Sequence, residues 1–223
     1  MRLAVVGSGY VGLVAGACFA DLGHEVILVD VDQQKLAALQ SGQIPIHENF
    51  LPELLQRHRG KRLNFSDDLQ AAVRASAAVF IAVGTPPTEQ GEADLSYVES
   101  VARSISGAIN GYKVIVEKST VPVYTSDWVR KIILRNAAPP DSFDVASNPE
   151  FLREGTAVTD FLYPEPSTVR LPASVEDMAS ASQACRGSGR CATTGLNTST
   201  AGTLLTRFDN TAAQALNTAV RSR

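Results

Sequence analysis

Gly7-Ser8-Gly9-Tyr10-Val11-Gly12 lies between a short apolar run, Arg2-Leu-Ala-Val-Val6, and a helical stretch from Tyr10 to Leu22. Three glycines at this spacing, between a strand and a helix, predict a strand-to-helix turn that holds a dinucleotide. Gly7 permits the sharp turn, Gly9 lets the main chain approach a pyrophosphate without a Cβ in the way, and Gly12 lets the helix sit close to the sheet. The pyrophosphate then rests on free N–H groups at the positive end of the helix. Gly23 is the expected helix stop, with His24 just beyond it. A second apolar run, Glu25-Val-Ile-Leu-Val, closes on Asp30, whose carboxylate suits an adenosine ribose hydroxyl and repels a 2′-phosphate. No Arg follows to receive such a phosphate, so NAD is expected over NADP.

Length and composition exclude other classes. A chain of 223 residues allows one domain of ordinary size plus something extra, and a net charge of -3 provides no basic field for nucleic acid. No run reaches the roughly 18 apolar residues of a membrane span. The N-terminal apolar run is too short for a secretory signal, which predicts a soluble cytoplasmic protein whose Cys18, Cys185 and Cys191 stay reduced. Cys18 reads as a small core residue. His24, His47 and His58 are scattered without metal-ligand spacing, so no metal is expected and all three read as surface or turn residues.

Strands and helices alternate up to about residue 160. Helices are predicted over Asp32 to Gln40, Asn49 to His58 and Ser96 to Ile109, with another from a Ser66 cap through Ala75 that has Asp67 and Asp68 in its first turn. Val121 to Asn136 reads as mainly helix, with Pro122 in its first turn. Leu63 to Phe65, Ala78 to Val83, Lys113 to Glu117 and Phe143 to Ser147 read as strands. Repeated βα units of this kind predict an α/β domain, a doubly wound parallel sheet of the Rossmann type spanning residues 1–164.

A ligand on such a sheet sits beyond the carboxyl ends of its strands. Three segments follow apolar runs there: Gly84-Thr-Pro-Pro87, Lys118-Ser-Thr-Val-Pro122 and Asn148-Pro-Glu-Phe-Leu-Arg-Glu-Gly155. Taken singly, each is equally a proline-bearing turn or a helix cap; together on one rim they favour a binding site. Glu150 and Glu154, four apart, are expected on one face of a helix start, directing two carboxylates at the crevice for general acid or base chemistry.

Five segments resemble the nucleotide-sugar 6-dehydrogenases, most closely the UDP-glucose 6-dehydrogenases. They are Gly7 to Gly12, Ala82 to Pro87, Ala93-Asp-Leu-Ser-Tyr97, Glu117 to Pro122 and Ser147-Asn-Pro-Glu-Phe-Leu-Arg-Glu-Gly-Thr-Ala-Val158. The resemblance runs from Met1 to Pro164. It implies NAD contacts from Gly7, Gly9, Val11, Gly12, Asp30, Lys35, Thr85, Pro86, Ser119, Thr120 and Glu154. It implies sugar-nucleotide contacts from Phe151, Leu152, Arg153 and Glu154, and it puts Thr120 and Glu150 near the reacting C6 carbon and its hydrolytic water. Tyr124 departs from the pattern, since many members carry Gly there; the expected effect is on loop shape and not on cofactor binding. The implied reaction oxidises the C6 alcohol of UDP-glucose to a carboxylate through two hydride transfers to two NAD molecules and a thioester on a cysteine. The family is oligomeric through a helix that lies beyond the matching region.

Beyond Phe161-Leu-Tyr-Pro164 the resemblance stops, and the chain continues Glu165-Pro-Ser-Thr-Val-Arg-Leu-Pro172. Residues 165–223 contain no Lys and one aromatic, Phe208, and are dominated by Ala, Ser and Thr, which predicts a poorly ordered tail with at most an isolated helix over Thr203 to Val220. Neither Cys185 nor Cys191 has the sequence setting of the family nucleophile. The expectation is a frame-shifted or divergent end, an absent second domain and a chain that is catalytically incomplete by itself. Two functions stay open. One is the cofactor half of a UDP-glucose 6-dehydrogenase, with GDP-mannose or a UDP-N-acetylhexosamine as alternative substrate; the other is a non-catalytic NAD-binding module.

Overall fold

The computed structural model describes residues 1–122, 124–136, 138–148 and 152–163. Among them six strands, β1 (Arg2–Val6), β2 (Glu25–Val29), β3 (Leu63–Ser66), β4 (Ala78–Ile81), β5 (Lys113–Glu117) and β6 (Phe143–Ser147), form one sheet in the order β3-β2-β1-β4-β5-β6. Every pairing is parallel, with Val5 of β1 level with Leu28 of β2 on one side and with Phe80 of β4 on the other. This is the Rossmann-type order, in which the strand order reverses between β1 and β4, the position where sheets of this kind bind ligands beyond the strand ends.

The sheet is covered on both faces. Leu3 and Val5 of β1 point into a core shared with α1 (Tyr10–Asp21), α3 (Leu51–His58) and α7 (Ala157–Leu162). Ala4 and Val6 point into the opposite core with α4 (Leu69–Ala75), α5 (Ser96–Ser106) and α6 (Thr125–Arg135). Strands buried on both faces are continuously apolar and not alternating, as Ala78-Val-Phe-Ile81 illustrates. Helix α1 is buried over almost its whole circumference because it lies between the sheet and two other helices, so it shows no amphipathic stripe. At Gly16 it lies close against the sheet: an added Cβ would be 3.0 Å from Leu28 Cδ1.

Local chemistry moves several predicted boundaries. Ser66 ends β3 and does not cap the next helix: its hydroxyl accepts from the Asp68 N–H at 3.0 Å, and Asp68 caps α4 by accepting from the Ala71 N–H at 2.8 Å. Helix α2 (Gln33–Ser41) is likewise capped by Asp32, which accepts from the N–H groups of Gln34 and Lys35 at 3.0 Å. Helix α6 starts at Thr125, so Pro122 lies ahead of it; the Pro122 carbonyl instead accepts from Thr125 N and Oγ1 at 3.2 and 2.7 Å. Tyr124, between them, has φ +73, in the left-handed region where glycine carries no penalty. That geometry accounts for the glycine of the resembling sequences.

Two histidines differ from expectation. His47 is exposed, but His24 and His58 are buried. His58 Nε2 lies 2.9 Å from Asp21 Oδ1, a carboxylate that also accepts from Arg57 at 2.9 Å, so the ring is covered where α3 crosses the end of α1. His24 sits edge-on to Phe19 with its Nδ1 3.5 Å from the N-terminal amine, and burial followed by that positive charge lowers its pKa. Cys18 is in the core as expected. Burial, with the negative charges of Asp21 and Glu48 behind it, pushes its thiol up to about 12, which leaves it unreactive. The readings for residues 164–223, Cys185 and Cys191 among them, fall outside the described residues.

Candidate functional site

The turn after β1 is shaped by two glycines and left open by the third. Gly7 has φ +104, and a Cβ on it would lie 2.4 Å from the Ala82 carbonyl oxygen. A Cβ on Gly12 would meet the Gly7 carbonyl oxygen at 1.9 Å and the Ala82 Cβ at 3.4 Å, so Gly12 closes the turn upon itself, while a Cβ on Gly16 would press on Leu28 of the sheet. A Cβ on Gly9 would have nothing within 4 Å. Gly9 is also the N-cap of α1, with no side-chain cap and no acid in the first turn. The first N–H groups and the positive end of the helix dipole therefore stay available to an anion. Open space at Gly9 beside an uncapped helix start fits a pyrophosphate.

Asp30 follows β2 on the same rim. Its Oδ2 accepts from both the backbone N–H and the hydroxyl of Ser8, at 2.8 and 2.5 Å, and its Oδ1 accepts from the Asp32 N–H at 3.0 Å. Lys35 Nζ lies 3.6 Å away. Burial raises the pKa of Asp30, but the donors from Ser8 and Asp32 and the Lys35 charge outweigh it and hold the group below the usual carboxylate range. A carboxylate has about four acceptor positions. Three are taken by N–H and O–H donors, which leaves one on Oδ1 for a hydroxyl, while Lys35 stands on the Oδ2 side as a donor. Ser8, buried beneath the turn, was not among the predicted residues; the one signal for it is a hydroxyl between the first two glycines, which by itself does not show that it faces Asp30.

The loops after β4 and β5 are joined at the rim, where Thr85 Oγ1 donates to the Thr120 carbonyl at 2.8 Å. Pro86 accepts from the Asp94 N–H at 2.8 Å and closes the loop that leads to α5. Ser119 is buried, its N–H donating to Glu117 Oε1 at 2.9 Å, whereas Thr120 is exposed. Lys118, which the sequence reading located in this loop without assigning it a role, is also buried; its Nζ donates to Asn148 Oδ1 at 3.2 Å and lies 5.7 Å from the centre of the Phe161 ring.

The third loop corrects one expectation. Glu154 is exposed in a turn and α7 begins only at Ala157, so Glu154 is not part of a helix face. Glu150 and Phe151 lie outside the described residues. Leu152 packs against the core beside α1. Arg153 donates from Nε and Nη2 to the two oxygens of Asp160 at 3.1 and 2.7 Å, and these bonds, with one from Thr156, hold Asp160 near about 2. The turn is fastened from outside as well. Glu48 Oε2 accepts from the Tyr10 hydroxyl and from the Gly155 N–H at 2.7 Å, and Asn49 Nδ2 donates to the Gly155 carbonyl at 2.6 Å. Among the described residues no group of three His, Cys, Asp or Glu could hold a metal, and no helix is long and apolar enough to cross a membrane.

Residues 1–169 match the profile of the UDP-glucose/GDP-mannose dehydrogenase family, NAD binding domain. The chain is 53% identical over 167 residues to the UDP-glucose 6-dehydrogenase of Rhizobium meliloti, a match covering 74% of this chain and 38% of that protein. It is 48% identical over 169 residues to UDP-glucose 6-dehydrogenase TuaD of Bacillus subtilis, covering 75% of this chain and 37% of that protein. Among solved structures, a UDP-glucose dehydrogenase from Pyrobaculum islandicum aligns with TM-score 0.69 and 44% identity, over 73% of this chain and 39% of that one. GDP-mannose dehydrogenase from Pseudomonas aeruginosa, in a ternary complex, aligns with TM-score 0.71 and 40% identity, over 74% and 39%. The matched region thus spans less than two fifths of the length of these relatives. With the open glycine turn, the fixed Asp30 and the parallel sheet in place, the profile match shows that this chain belongs to the UDP-glucose/GDP-mannose dehydrogenase family, through its NAD binding domain.

Proposed function

We propose that the chain is the cofactor-holding part of an NAD-dependent oxidoreductase acting on a nucleotide sugar, with UDP-glucose the first candidate. The observation that carries the proposal is the pairing of an uncapped α1 start at Gly9 with an Asp30 carboxylate held so that one acceptor position remains. Bound NAD supplies the hydride acceptor. In this reading the N–H groups from Tyr10 onward hold the pyrophosphate, Val11 lies along it, and Asp30 and Lys35 divide the adenosine ribose hydroxyls as acceptor and donor. Thr85, Pro86, Ser119 and Thr120 form the rim towards the nicotinamide. Glu150 and Glu154 supply carboxylates for proton transfer at the reacting carbon, with Thr120 beside them. Phe151, Leu152 and Arg153 face the sugar nucleotide.

UDP-glucose is favoured over GDP-mannose or a UDP-N-acetylhexosamine by the names of the two most identical relatives reported above. A second reading, binding of NAD without turnover by these 223 residues alone, is favoured by Cys185 and Cys191, neither of which has the setting of a thioester-forming nucleophile. Calorimetry of the full chain with NAD tests the cofactor reading, and no heat of binding overturns it. NADH absorbance with UDP-glucose, then GDP-mannose, separates the two readings: sustained turnover supports the oxidoreductase and removes the second. A shortened chain ending at Pro164 is expected to keep the NAD affinity of the full chain.

A further inference from the structure

We infer that Glu48 is a positioning residue for the cofactor site, fastening the turn that carries Arg153 and Glu154 to the first residue of the pyrophosphate-binding helix. The inference rests on the reading that Glu154 faces the cofactor. Glu48 lies in the connection between α2 and α3 and is 3% exposed. Both of its donors converge on a single oxygen, Oε2: the hydroxyl of Tyr10, the residue that opens α1, and the N–H of Gly155. Its other oxygen, Oε1, is buried with no hydrogen-bond partner. A half-satisfied buried carboxylate is costly, so one kept at a junction of two segments calls for an explanation.

The geometry supplies one. The neighbouring Asn49 takes the Gly155 carbonyl, so consecutive side chains hold both polar backbone groups of one residue, and Gly155 has φ +88, a conformation that depends on glycine. A charged acceptor also makes each of the two bonds roughly twice as strong as a neutral one. Tyr10 reports the contact: burial first, then the hydrogen bond and charge of Glu48, push its hydroxyl pKa well above the ordinary value. The turn at residues 152–156 has no strand pairing of its own, and its helix α7 is only six residues long. Without Glu48 and Asn49, the position of Glu154 relative to the pyrophosphate would depend on the packing of Leu152 and α7 and on the 3.5 Å contact of the Tyr10 hydroxyl with the Arg153 carbonyl.

The test uses the full chain and two ligands. NAD spans both halves of the site, whereas ADP reaches only the adenosine and phosphate half. Glu48→Gln and Asn49→Ala are expected to weaken NAD binding about fivefold while leaving ADP binding within about twofold, with Tyr10→Phe smaller in the same direction. Asp30→Ala, by contrast, weakens both ligands. Hydrogen exchange of the 152–163 segment is expected to quicken in Glu48→Gln without ligand. NAD and ADP affinities that fall in parallel, an unchanged NAD affinity, or unchanged exchange would each overturn the inference. Failure of the wild-type chain to bind NAD would overturn the proposed function instead, and the exchange measurement still decides the role of Glu48. If Glu48→Gln does not fold, Asn49→Ala and Tyr10→Phe carry the same test.

Discussion

Asp30 and Glu48 are two carboxylates near one site, and they are built into the molecule by opposite means. Asp30 takes its donors from Ser8 in the turn after β1 and from Asp32 and Lys35 at the start of α2, all within 22 residues of it in the chain. Glu48 joins Tyr10, 38 residues before it in the chain, to Gly155, 107 residues after it. The Asp30 end of the candidate site is therefore built from β1, α1, β2 and the start of α2, while the Glu48 end also needs α7 packed on α1, where Phe161 meets Phe19 edge to face at 5.2 Å. Local assembly gives a preorganised binding surface; long-range assembly gives one whose shape depends on distant packing.

That contrast is most sharply broken at the glycines. Gly12→Ala forces a Cβ against the Gly7 carbonyl and is expected to cost about 3 kcal/mol of stability along with NAD binding. Gly9→Ala meets nothing and should unfold no more readily than wild type, within about 0.5 kcal/mol, yet lose NAD affinity because its methyl occupies the pyrophosphate approach. Urea denaturation beside calorimetry separates the two, and equal stability losses would show that Gly9 is structural.

At the adenosine end, Asp30→Ala should weaken NAD binding by about 1–3 kcal/mol and reduce discrimination against NADP. Ser8→Ala, which removes one donor and leaves the Ser8 N–H in place, should have a smaller effect in the same direction, about 1 kcal/mol. Titrations of both variants with NAD and NADP are the check; a Ser8→Ala protein indistinguishable from wild type would mean that the backbone bond alone orients Asp30.

The smallest effect belongs to the far end. Asp160 is held near about 2, below its ordinary value, so its pairing with Arg153 stabilises the fold above the unfolded pKa of about 3.9 and is lost as pH falls through about 2. Because the Arg153 side chain is 69% exposed, solvent screening limits the contribution to below about 1 kcal/mol. Melting curves of wild type and Asp160→Asn should differ at pH 7 and converge between about pH 5 and pH 2. A difference that stays constant over that range would show that the ion pair is not its source.

Legibility follows the same division. The glycine turn, the end of β2 at Asp30 and the buried apolar strands were readable because each is a property of neighbours in the chain: turn chemistry, strand length and apolar runs. The boundaries at Ser66 and Pro122 differ from expectation because several nearby polar or proline residues could each begin a helix, and small differences in hydrogen bonding select among them. His24 and His58 read as surface or turn residues because nothing in their spacing shows that α3 packs on α1 at Asp21 or that the N-terminal amine lies against His24.

The sequence by itself determined the parallel α/β sheet, its glycine turn and the membership of an NAD binding domain family, since strand-turn-helix geometry acts over a few residues. Only the tertiary structure decided that Ser8 locks Asp30, that Lys118 is buried against Asn148 and Phe161, and that Glu48 fastens the Gly155 turn. The physical reason is that a hydrogen bond between distant residues needs only compatible donors and acceptors. Ser, Lys, Glu and Asn carry those everywhere along a chain, and folding alone selects which of them meet.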